Sequence, residues 1–313
     1  MVVGIGDDGA ILDVPNDQLL CVATDVLTAD VHFPSDAAPN LIAQKSLAVN
    51  LSDMAAMGAT PLCFTLGLTI PLVENDWMQE FSAGLFSLAK RYDCPLVGGD
   101  TTKGPMAVAI TIHGLIEKSQ HILREGAAVG DSIYVTGTLG DGALALPALG
   151  MRSHLGERLA ISSSLSEQQI DFFTQAYYQP EPRVEFAQAC KAIVSSGIDV
   201  SDGLVGDLGH ILSASEVGAE LFIDRLPYSE VTNEVASLDA RRMAALFGGD
   251  DYELCMTVPS AAREEFERLS DQYELEVTCI GEITTGNGIS FLNESREKIE
   301  IHLDSYEHFK PSN

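Results

Sequence analysis

The stretch "LIAQKSLAVNLSDMAAMGATPLCFTLGLTIP" (residues 41–71) predicts an α-helix followed directly by a β-strand. Apolar and small residues recur three and four positions apart between residues 41 and 57, which is typical of one face of a helix. Gly58 follows the last periodic residue and predicts the end of that helix. From residue 62 the stretch is rich in β-branched and aromatic residues up to Pro71, which indicates a strand.

Asp53 is the least expected residue of this helix. It lies between Leu51 and Met54, in a segment otherwise dominated by alanine, leucine, valine and methionine. An acid in such surroundings is rarely buried unless it is paired or bound to a metal. Two interpretations stay open at this point: the polar edge of an amphipathic helix, or a metal ligand.

An acid beside glycine, serine or threonine recurs along the chain, and we interpret most of these places as turns next to strands or helices. The stretches are "GIGDDGA" (4–10), "ATD" (23–25), "NLSD" (50–53), "VGGDTTKGP" (97–105), "DVSDG" (199–203) and "GGDDYE" (248–253). The formal net charge of −28 argues against nucleic acid or an anionic membrane surface as a partner. Many acids sit in glycine-rich stretches and not on predicted helix faces, a placement that a metal site would require.

The chain is long enough for two domains, since it has 313 residues. A polar connection near 118–128 precedes a new strand, turn and helix, so we predict domains at 1–122 and 123–313. Both halves repeat the order strand, acidic turn, helix, which indicates an α/β (α+β) fold. Further strands are predicted at about 18–25, 95–98, 106–116, 132–136, 219–223, 252–258 and 276–283, and helices at 75–92, 140–149, 166–178, 183–195, 203–217, 239–247 and 260–272.

Several classes of protein are disfavoured by the sequence. The longest apolar stretch, at 41–59, is interrupted by polar residues and does not predict a membrane span. The start "MVVGIGDDG" lacks the basic and apolar regions of a signal peptide, so we expect a cytoplasmic protein. The six cysteines are scattered without a zinc-binding spacing, and we expect them to be reduced core residues.

Residues 4–9, "GIGDDG", fit the glycine pattern of dinucleotide-binding loops, but their context does not. Such a loop follows a strand and opens a helix, with backbone N–H groups exposed to pyrophosphate. Here a proline-containing stretch follows, and two carboxylates occupy the loop. Because like charges about 4 Å apart repel by about 4 kcal/mol at an effective dielectric constant of 20, phosphate would bind there only through a cation.

Mg²⁺ is the cation that such a set of acids favours. It takes about six oxygen ligands, usually one or two carboxylates with water and substrate phosphates. Each acid has an ordinary alternative role in a turn or helix cap, as Asp202 has before Gly203, but all of them together favour metal binding. The candidate ligands are Asp8, Asp25, Asp53, Asp100, Asp199 and Asp202, with Thr24 as a further oxygen donor.

Few basic or aromatic residues stand out near these stretches. Arg124 in "ILREGA" could clamp a terminal phosphate, because a guanidinium binds phosphate oxygens in a bidentate fork. Lys103 could do the same or be a solvated loop lysine. On local sequence alone, His32 is interpreted as a structural histidine and Tyr306 as a packing aromatic residue.

Taken together, the motifs resemble the thiamine-monophosphate kinase family of the aminoimidazole ribonucleotide synthetase superfamily. The stretches that carry the resemblance are "GIGDDGA", "TDVLTADVHF", "KSLAVNLSDMAAMGATP", "GGDTTKGP", "IDVSDGL", "GGDDYEL" and "SYEHF", which follow the family order and span nearly the whole chain. The resemblance implies ATP-dependent transfer of the γ-phosphoryl group to thiamine monophosphate, giving thiamine diphosphate.

The resemblance also assigns roles to individual residues. It implies Mg²⁺ ligation by Asp8, Thr24, Asp25, Asp53, Asp100, Asp199 and Asp202, with Ala23 lending a backbone oxygen. It implies ATP contacts at Gly99, Asp100, Arg124 and Ser201, and thiamine-phosphate contacts at His32, the pair Asp250–Asp251 and Tyr306. The family commonly has Glu-Asp where this chain has Asp250–Asp251, and which of the two acids contacts the substrate stays open.

The implied fold is the two-domain aminoimidazole ribonucleotide synthetase-like fold. The N-terminal domain would pair with its copy through a β-rich dimer interface, and the C-terminal domain would be an α/β sandwich. Two alternatives remain: another ATP-using enzyme of the superfamily, or a non-catalytic relative that binds a nucleotide or metal. The sequence shows no reactive cysteine in a glycine-rich N-terminal segment and no cysteine near "HFKPSN", two features that other members of the superfamily would call for.

Overall fold

The computed structural model describes residues 4–6 and 8–301, which form two compact units. The first unit holds the chain up to His121 together with Tyr178–Gln188, and the second holds Ile122–Tyr177 and the chain from Ala189 on. Tyr178–Gln188 joins the first unit because Glu181 binds the side chains of Arg91 and Tyr92, and Gln188 donates to the carbonyl of Ala59. The domains predicted from the sequence, 1–122 and 123–313, did not include this return of residues 178–188 to the first unit.

The first unit is built on a four-stranded sheet with helices. Its elements up to residue 117 are β1 (Gln18–Thr28), α1 (Pro39–Ala56), β2 (Thr60–Ile70), α2 (Asn75–Arg91), β3 (Leu96–Lys103) and β4 (Ala107–Glu117). The strand order is β1-β4-β2-β3, with β4 antiparallel to both neighbours and β2 parallel to β3. Helix α1 packs on β1 and β4 and against α2.

Burial alternates along this sheet. In β4, Val108, Ile110 and Ile112 are fully buried, while the residues between them are partly exposed. This alternation is typical of a sheet that is packed against helices on one face. The second face keeps apolar side chains in contact with solvent, most clearly Val22 and Val26 of β1, each 53% exposed.

The second unit is built on a seven-stranded sheet with helices. The elements that follow β4 along the chain are β5 (Ser132–Thr136), α3 (Asp141–Ala148), α4 (Glu167–Tyr178), α5 (Val184–Cys190), which lies mostly in the first unit, β6 (Ser196–Val200), α6 (Leu204–Ser215), β7 (Gly218–Phe222), α7 (Glu230–Val235), α8 (Leu238–Phe247), β8 (Glu253–Val258), α9 (Arg263–Gln272), β9 (Val277–Thr284), β10 (Gly288–Leu292) and β11 (Lys298–Ile299). The strand order of the sheet is β11-β10-β7-β9-β5-β8-β6. Strands β5, β6 and β8 are buried at every position.

The helix expected at 41–57 is confirmed, and Gly58, which follows the cap residue Met57, adopts a positive φ of 67°. The interpretation of Asp25 and Asp100 as turn residues is wrong. Strand β1 continues past Asp25 to Thr28, and β3 continues past Asp100 to Lys103. Aspartate and glycine disfavour strands, but pairing with β4 and β2 overrides that local preference.

The helix predicted at 183–195 is wrong beyond Cys190. The chain turns there and enters β6, a five-residue strand that the sequence analysis missed together with β10 and β11. A short apolar run that is buried on both faces has no alternation, so periodicity cannot distinguish it from the end of a helix.

All six cysteines are free; four are buried and Cys21 and Cys279 are half-buried. None of the helices within the described part of the chain combines the length and the apolar character that crossing a membrane requires.

Candidate functional site

Three acidic stretches meet at one edge of the seven-stranded sheet. Strand β8 is antiparallel to both β5 and β6, so the ends of β5 and β6 and the beginning of β8 lie at the same edge. We call this region the acidic edge and define it as residues 137–142, 199–203 and 248–253. Two of the motifs singled out from the sequence, "DVSDG" and "GGDDYE", are thereby brought together.

The stretches of the acidic edge pack backbone against backbone. The N–H groups of Asp250 and Tyr252 donate to the carbonyls of Ser201 and Val200, at 2.9 and 2.8 Å. A Cβ atom on Gly249 would lie 2.1 Å from the Ser201 carbonyl oxygen, closer than atoms can approach. Glycine is therefore required at this position, and the two acidic motifs hold each other in place.

Asp251 is bound to the backbone of the neighbouring stretch. Its carboxylate accepts the N–H groups of Gly140 and Gly142, at 2.7 and 3.0 Å. Burial raises the pKa of Asp251 well above its usual value, and the nearby charges of Asp141 and Glu253 raise it further, although the two N–H donors act in the opposite direction. Asp251 therefore serves the internal structure of the acidic edge.

Asp250 and Asp251 are both half-buried, but of the two acids Asp250 is the one in the left-handed region, with a φ of 69°. Its carboxylate accepts the hydroxyl of Tyr252, at 3.2 Å, and Tyr252 also has a positive φ, of 53°. Two non-glycine residues in this region within three positions are unusual, and such strain concentrates at functional sites. The geometry favours Asp250 as the acid that contacts a ligand.

Asp207 is a residue of this site that the sequence analysis missed. It is 4% exposed, and its carboxylate accepts the N–H groups of Ser201 and Asp202, each at 3.0 Å. Burial raises the pKa of Asp207 to about 8, with a further contribution from the charge of Asp199. The signal was present in the sequence, since Asp207 is an acid inside an apolar helix, as Asp53 is.

Asp202 does not cap helix α6, so its alternative role as a helix cap is wrong. The cap residue is Gly203, with a φ of 105°. A Cβ atom at Gly203 would lie 2.8 Å from the carbonyl carbon of Phe247, which leaves no room for a side chain. Asp199 is 7% exposed at the end of β6, and Asp202 is exposed in the turn that follows.

Hydroxyl groups satisfy the remaining buried acids of the acidic edge. Asp141 accepts from the hydroxyls of Thr138, Ser229 and Thr232, at 2.6 to 2.7 Å. Glu253 accepts from Thr136 at 2.5 Å. Because these acceptors are paired, the acidic edge is a built network and not a chance accumulation of charge.

In the first unit, Asp25 and Asp53 lie on the same side of β1. Side chains alternate along a strand, so Asp25 shares a face with Cys21 and Ala23. The pKa of Cys21 is raised by burial and by the charge of Asp53, which places Asp53 of helix α1 near this face. Asp53 is half-buried between buried neighbours, and that favours a functional role over a solvated helix edge.

Asn50 ties this helix to the strand. Its side-chain oxygen accepts the N–H of Asp25 at 3.3 Å, and its side-chain nitrogen donates to the carbonyl of Ser46 at 2.9 Å. Asn50 is completely buried and lies one helical turn before Asp53. The spacing between Asp25 and Asp53 is therefore fixed by a hydrogen-bonded side chain.

The other expected ligands of the first unit are not gathered with these two. The hydroxyl of Thr24 lies 2.9 Å from that of Thr111, on the opposite face of β1. Asp100 lies in β3, where it pairs with Gly67 of β2. Strand β3 is three strand spacings from β1, so roughly 14 Å separates the two strands. Asp100 and the preceding Gly99 are exposed, and Asp8 is exposed as well.

The predicted cluster of magnesium ligands is thus not assembled as one shell. Within residues 4–6 and 8–301, no group of three or more histidine, cysteine or acidic side chains is close enough to hold a metal ion. The donor chemistry still fits Mg²⁺, because one or two carboxylates together with substrate phosphates are its usual protein ligands. The acids fit this requirement as two pairs, Asp25 with Asp53 and Asp199 with Asp202.

Arg124 and Ser201 lie at opposite ends of β6. The carbonyl of Leu123 accepts the N–H of Gly197 at 3.0 Å, and the carbonyl of Arg124 accepts the hydroxyl of Ser215 at 3.2 Å. These contacts place Arg124 beside the beginning of β6, whereas Ser201 follows its end, roughly 17 Å of strand away. The fold of the second unit does not bring the two expected ATP contacts together.

His32 has a defined protonation pattern. Its Nδ1 accepts the backbone N–H of Thr28 at 3.0 Å, so Nδ1 carries no proton and the ring proton lies on Nε2. His32 can therefore present a hydrogen-bond donor at Nε2. Tyr306, the other aromatic residue expected at the substrate, lies outside the described residues. Lys103 is exposed at the end of β3.

Two family models match this chain, one for each half. The AIR synthase related protein N-terminal domain matches residues 6–116, and the corresponding C-terminal domain matches residues 128–292. These two matches define the class, a two-domain protein of the AIR synthase related group, and they confirm the two-domain α/β prediction.

Full-length relatives narrow the class. The thiamine-monophosphate kinase of Escherichia coli (strain K12) is 41% identical over 308 residues, covering 98% of this chain and 92% of its own. The crystal structure of thiamine-monophosphate kinase from Stenotrophomonas maltophilia K279a is 40% identical, covers 92% of this chain and 90% of its own, and superposes with a TM-score of 0.84. The chain belongs to the thiamine-monophosphate kinase family.

A third comparison concerns a ligand-bound relative. The structure of AaThiL complexed with AMPPCP and TMP is 28% identical, covers 97% of this chain and 92% of its own, and has a TM-score of 0.79.

Proposed function

We propose that this chain transfers the γ-phosphoryl group of ATP to the phosphate of thiamine monophosphate, forming thiamine diphosphate in thiamine diphosphate biosynthesis. The family and the relative that binds AMPPCP and TMP support both substrates. The acidic edge carries the proposal within this chain. It collects carboxylates where a phosphate-transferring enzyme needs bound cations.

The residue types suit this reaction. The acceptor is already an anionic phosphate, so no serine, cysteine or histidine nucleophile is needed. The barrier lies in bringing two anions together and stabilising the transferring group, which is a matter of positioning and charge neutralisation. Bound Mg²⁺ supplies the positive charge that bridges phosphate oxygens and carboxylates.

The proposed roles follow the two units. Several Mg²⁺ ions would be held, some by Asp25 with Asp53 and by Asp199 with Asp202, and others with oxygens from Asp8, Ala23, Thr24 and Asp100. ATP would contact Gly99, Asp100, Arg124 and Ser201. Thiamine monophosphate would contact His32 through its Nε2 proton, Asp250 and Tyr306, while Asp251 holds the stretch that carries Asp250.

We further propose that the protein is a cytoplasmic homodimer. The exposed side chains of Leu20, Val22 and Val26 project from the same side of β1. They form an apolar row on the open face of the first sheet, and we propose that a second copy of this chain covers it. The row is continuous with the hydroxyl pair of Thr24 and Thr111.

The first experiment measures ADP formed from ATP and Mg²⁺, with and without thiamine monophosphate. We expect ADP only when thiamine monophosphate is present. Asp53→Asn should lower kcat/KM by about 100-fold or more, the effect typical of losing one group that stabilises the transition-state charge. Asp93→Asn is the matched control, because Asp93 is exposed in the same unit at a φ of 48°, which asparagine tolerates.

The outcomes separate the alternatives. Hydrolysis of ATP that ignores thiamine monophosphate would indicate another ATP-using enzyme of the superfamily. Binding of ATP without any turnover would indicate a non-catalytic relative. Equal activity in the Asp53→Asn and Asp93→Asn variants would remove Asp53 from the proposed magnesium ligands.

A further inference from the structure

Asp207 occupies two adjacent backbone donors at the centre of the acidic edge. Ser201 and Asp202 are consecutive, and both of their N–H groups point to one oxygen, Oδ2 of Asp207. Consecutive N–H groups that converge on one point form a concave anion-binding site. In this chain the acceptor that fills that site is an oxygen of the protein's own side chain, Oδ2 of Asp207.

This arrangement has a consequence for phosphate binding. In phosphate-binding loops that work without carboxylates, the free N–H groups of the turn bind the phosphate directly. Here those donors are already used, and the neighbouring carboxylates of Asp199 and Asp202 repel a bare phosphate. A phosphate can approach this turn favourably only with a cation.

We propose that Asp207 is a positioning residue that makes nucleotide binding at the Ser201–Asp202 turn dependent on a divalent cation. It does so by holding the turn and by occupying the two N–H groups that would otherwise attract phosphate. The inference rests on the proposed function, because it takes Asp199, Ser201 and Asp202 as the metal and ATP contacts. Asp207 itself touches neither ligand in this scheme.

The same unit contains a control with matching chemistry. Asp131 is 5% exposed, and its carboxylate accepts the N–H of Ala128 at 2.9 Å and the hydroxyl of Ser195 at 2.6 Å. It directly precedes β5, at the edge of the sheet opposite to the acidic edge. A variant of Asp131 therefore reports what losing a buried, hydrogen-bonded carboxylate does to the fold alone.

The experiment compares the affinity for ATP with and without a divalent cation in Asp207→Ala, Asp207→Asn, Asp131→Asn and the unchanged protein. Affinity is measured by equilibrium dialysis of ATP, once with Mg²⁺ and once with a chelator. We expect the ratio of the two affinities to fall at least tenfold in Asp207→Ala, because the freed N–H groups strengthen metal-free binding while the loosened turn weakens metal-dependent binding. Asp207→Asn should shift the ratio in the same direction by less.

A merely structural role would lower both affinities together and leave their ratio unchanged, as we expect for Asp131→Asn. An unchanged ratio in folded Asp207 variants would therefore overturn the proposal. If the variants do not fold, the unchanged protein still tests the proposal through the chemical shifts of the Ser201 and Asp202 amide protons. We expect these shifts to stay the same when ATP is added in the presence of a chelator. A change in these shifts on addition of metal-free ATP would also overturn the proposal.

The proposed function is tested separately from this inference. The affinity ratio needs neither thiamine monophosphate nor turnover, so it can be measured even if the kinase assay fails. If ADP formation does not depend on thiamine monophosphate but the ratio falls as expected, the function is wrong and the role of Asp207 stands.

Discussion

The two sheets of this protein differ in how completely their faces are buried. The central strands of the seven-stranded sheet are buried on both sides, and its acidic edge is closed by internal hydrogen bonds. The four-stranded sheet alternates between buried and partly exposed residues, and it keeps apolar side chains of β1 in solvent. One sheet is complete within the chain, whereas the other leaves a surface that a partner can cover.

The carboxylates differ in the same way. In the second unit, Asp141, Asp207 and Asp251 each accept two or more hydrogen bonds from their own unit. In the first unit, Asp8 and Asp100 are exposed, and Asp25 and Asp53 are half-buried. The contrast indicates that hydrogen bonds from their own unit hold these acids of the second unit in place, and we propose that the acids of the first unit meet a cation.

The largest effect is expected from a charge on the open face of the first sheet. Val22→Asp should weaken self-association at least about 100-fold, because each interface would bury an unpaired carboxylate, and 100-fold corresponds to about 2.7 kcal/mol. Sedimentation velocity across a range of protein concentrations measures the change. The free energy of unfolding of the monomer should change by less than about 1 kcal/mol, since Val22 is 53% exposed.

Val73→Asp is the control for this prediction. Val73 is 66% exposed in the connection between β2 and α2, so the substitution adds the same charge away from the sheet face. If the protein without substitutions sediments as a monomer, the proposed homodimer is wrong. Equal weakening by both substitutions would move the interface away from β1.

Much of the fold was predictable from local patterns. Helix α1 shows a regular helical period and a glycine stop, and its bounds were expected to within two residues. Strands β6, β10 and β11 were missed, because runs of two to five residues carry too little periodicity. Asp25 and Asp100 were assigned to turns because the pairing that keeps them in strands is made with residues distant in sequence.

The candidate site was predictable in composition but not in geometry. Acidic motifs indicated carboxylates for Mg²⁺, and the structure joins "DVSDG" with "GGDDYE". Sequence could not separate Asp250 from Asp251, since their difference lies in the two N–H donors of Gly140 and Gly142. It also could not show that Thr24 and Asp25 point to opposite faces, because that follows from the strand that contains them.

An intermediate effect is expected from the buried network of the acidic edge. The pKa of Asp251 is raised above its usual value of 3.8, mainly by burial, so its folded form resists ionisation. A raised pKa stabilises the folded protein most below the unfolded value, and that contribution is lost as the pH rises. The free energy of unfolding of the unchanged protein, relative to Asp251→Asn, should therefore fall as the pH rises above about 4, where unfolded aspartate becomes ionised.

Urea unfolding with a chelator present measures this difference at each pH. The charges of Asp141 and Glu253 face Asp251 and raise its pKa in the same direction, so they do not reverse the sign. A difference that rises with pH would mean that the N–H groups of Gly140 and Gly142 outweigh burial. The acidic edge would then be stabilised by ionised Asp251.

The smallest effects come from two serines that cap neighbouring helices. Ser237 begins α8 and accepts the N–H of Ala240 at 3.2 Å, so Ser237→Ala should cost about 1 kcal/mol of unfolding free energy. Ser229 caps α7 in the same way, through Thr232, but its hydroxyl also donates to the buried carboxylate of Asp141 at 2.7 Å. Ser229→Ala should therefore cost more, about 2–3 kcal/mol, because a hydrogen bond to a charged group is lost as well. Urea unfolding of both variants measures the gap. If the two costs were equal, the hydroxyl network around Asp141 would add nothing to stability, and the acidic edge would be held by its backbone contacts alone.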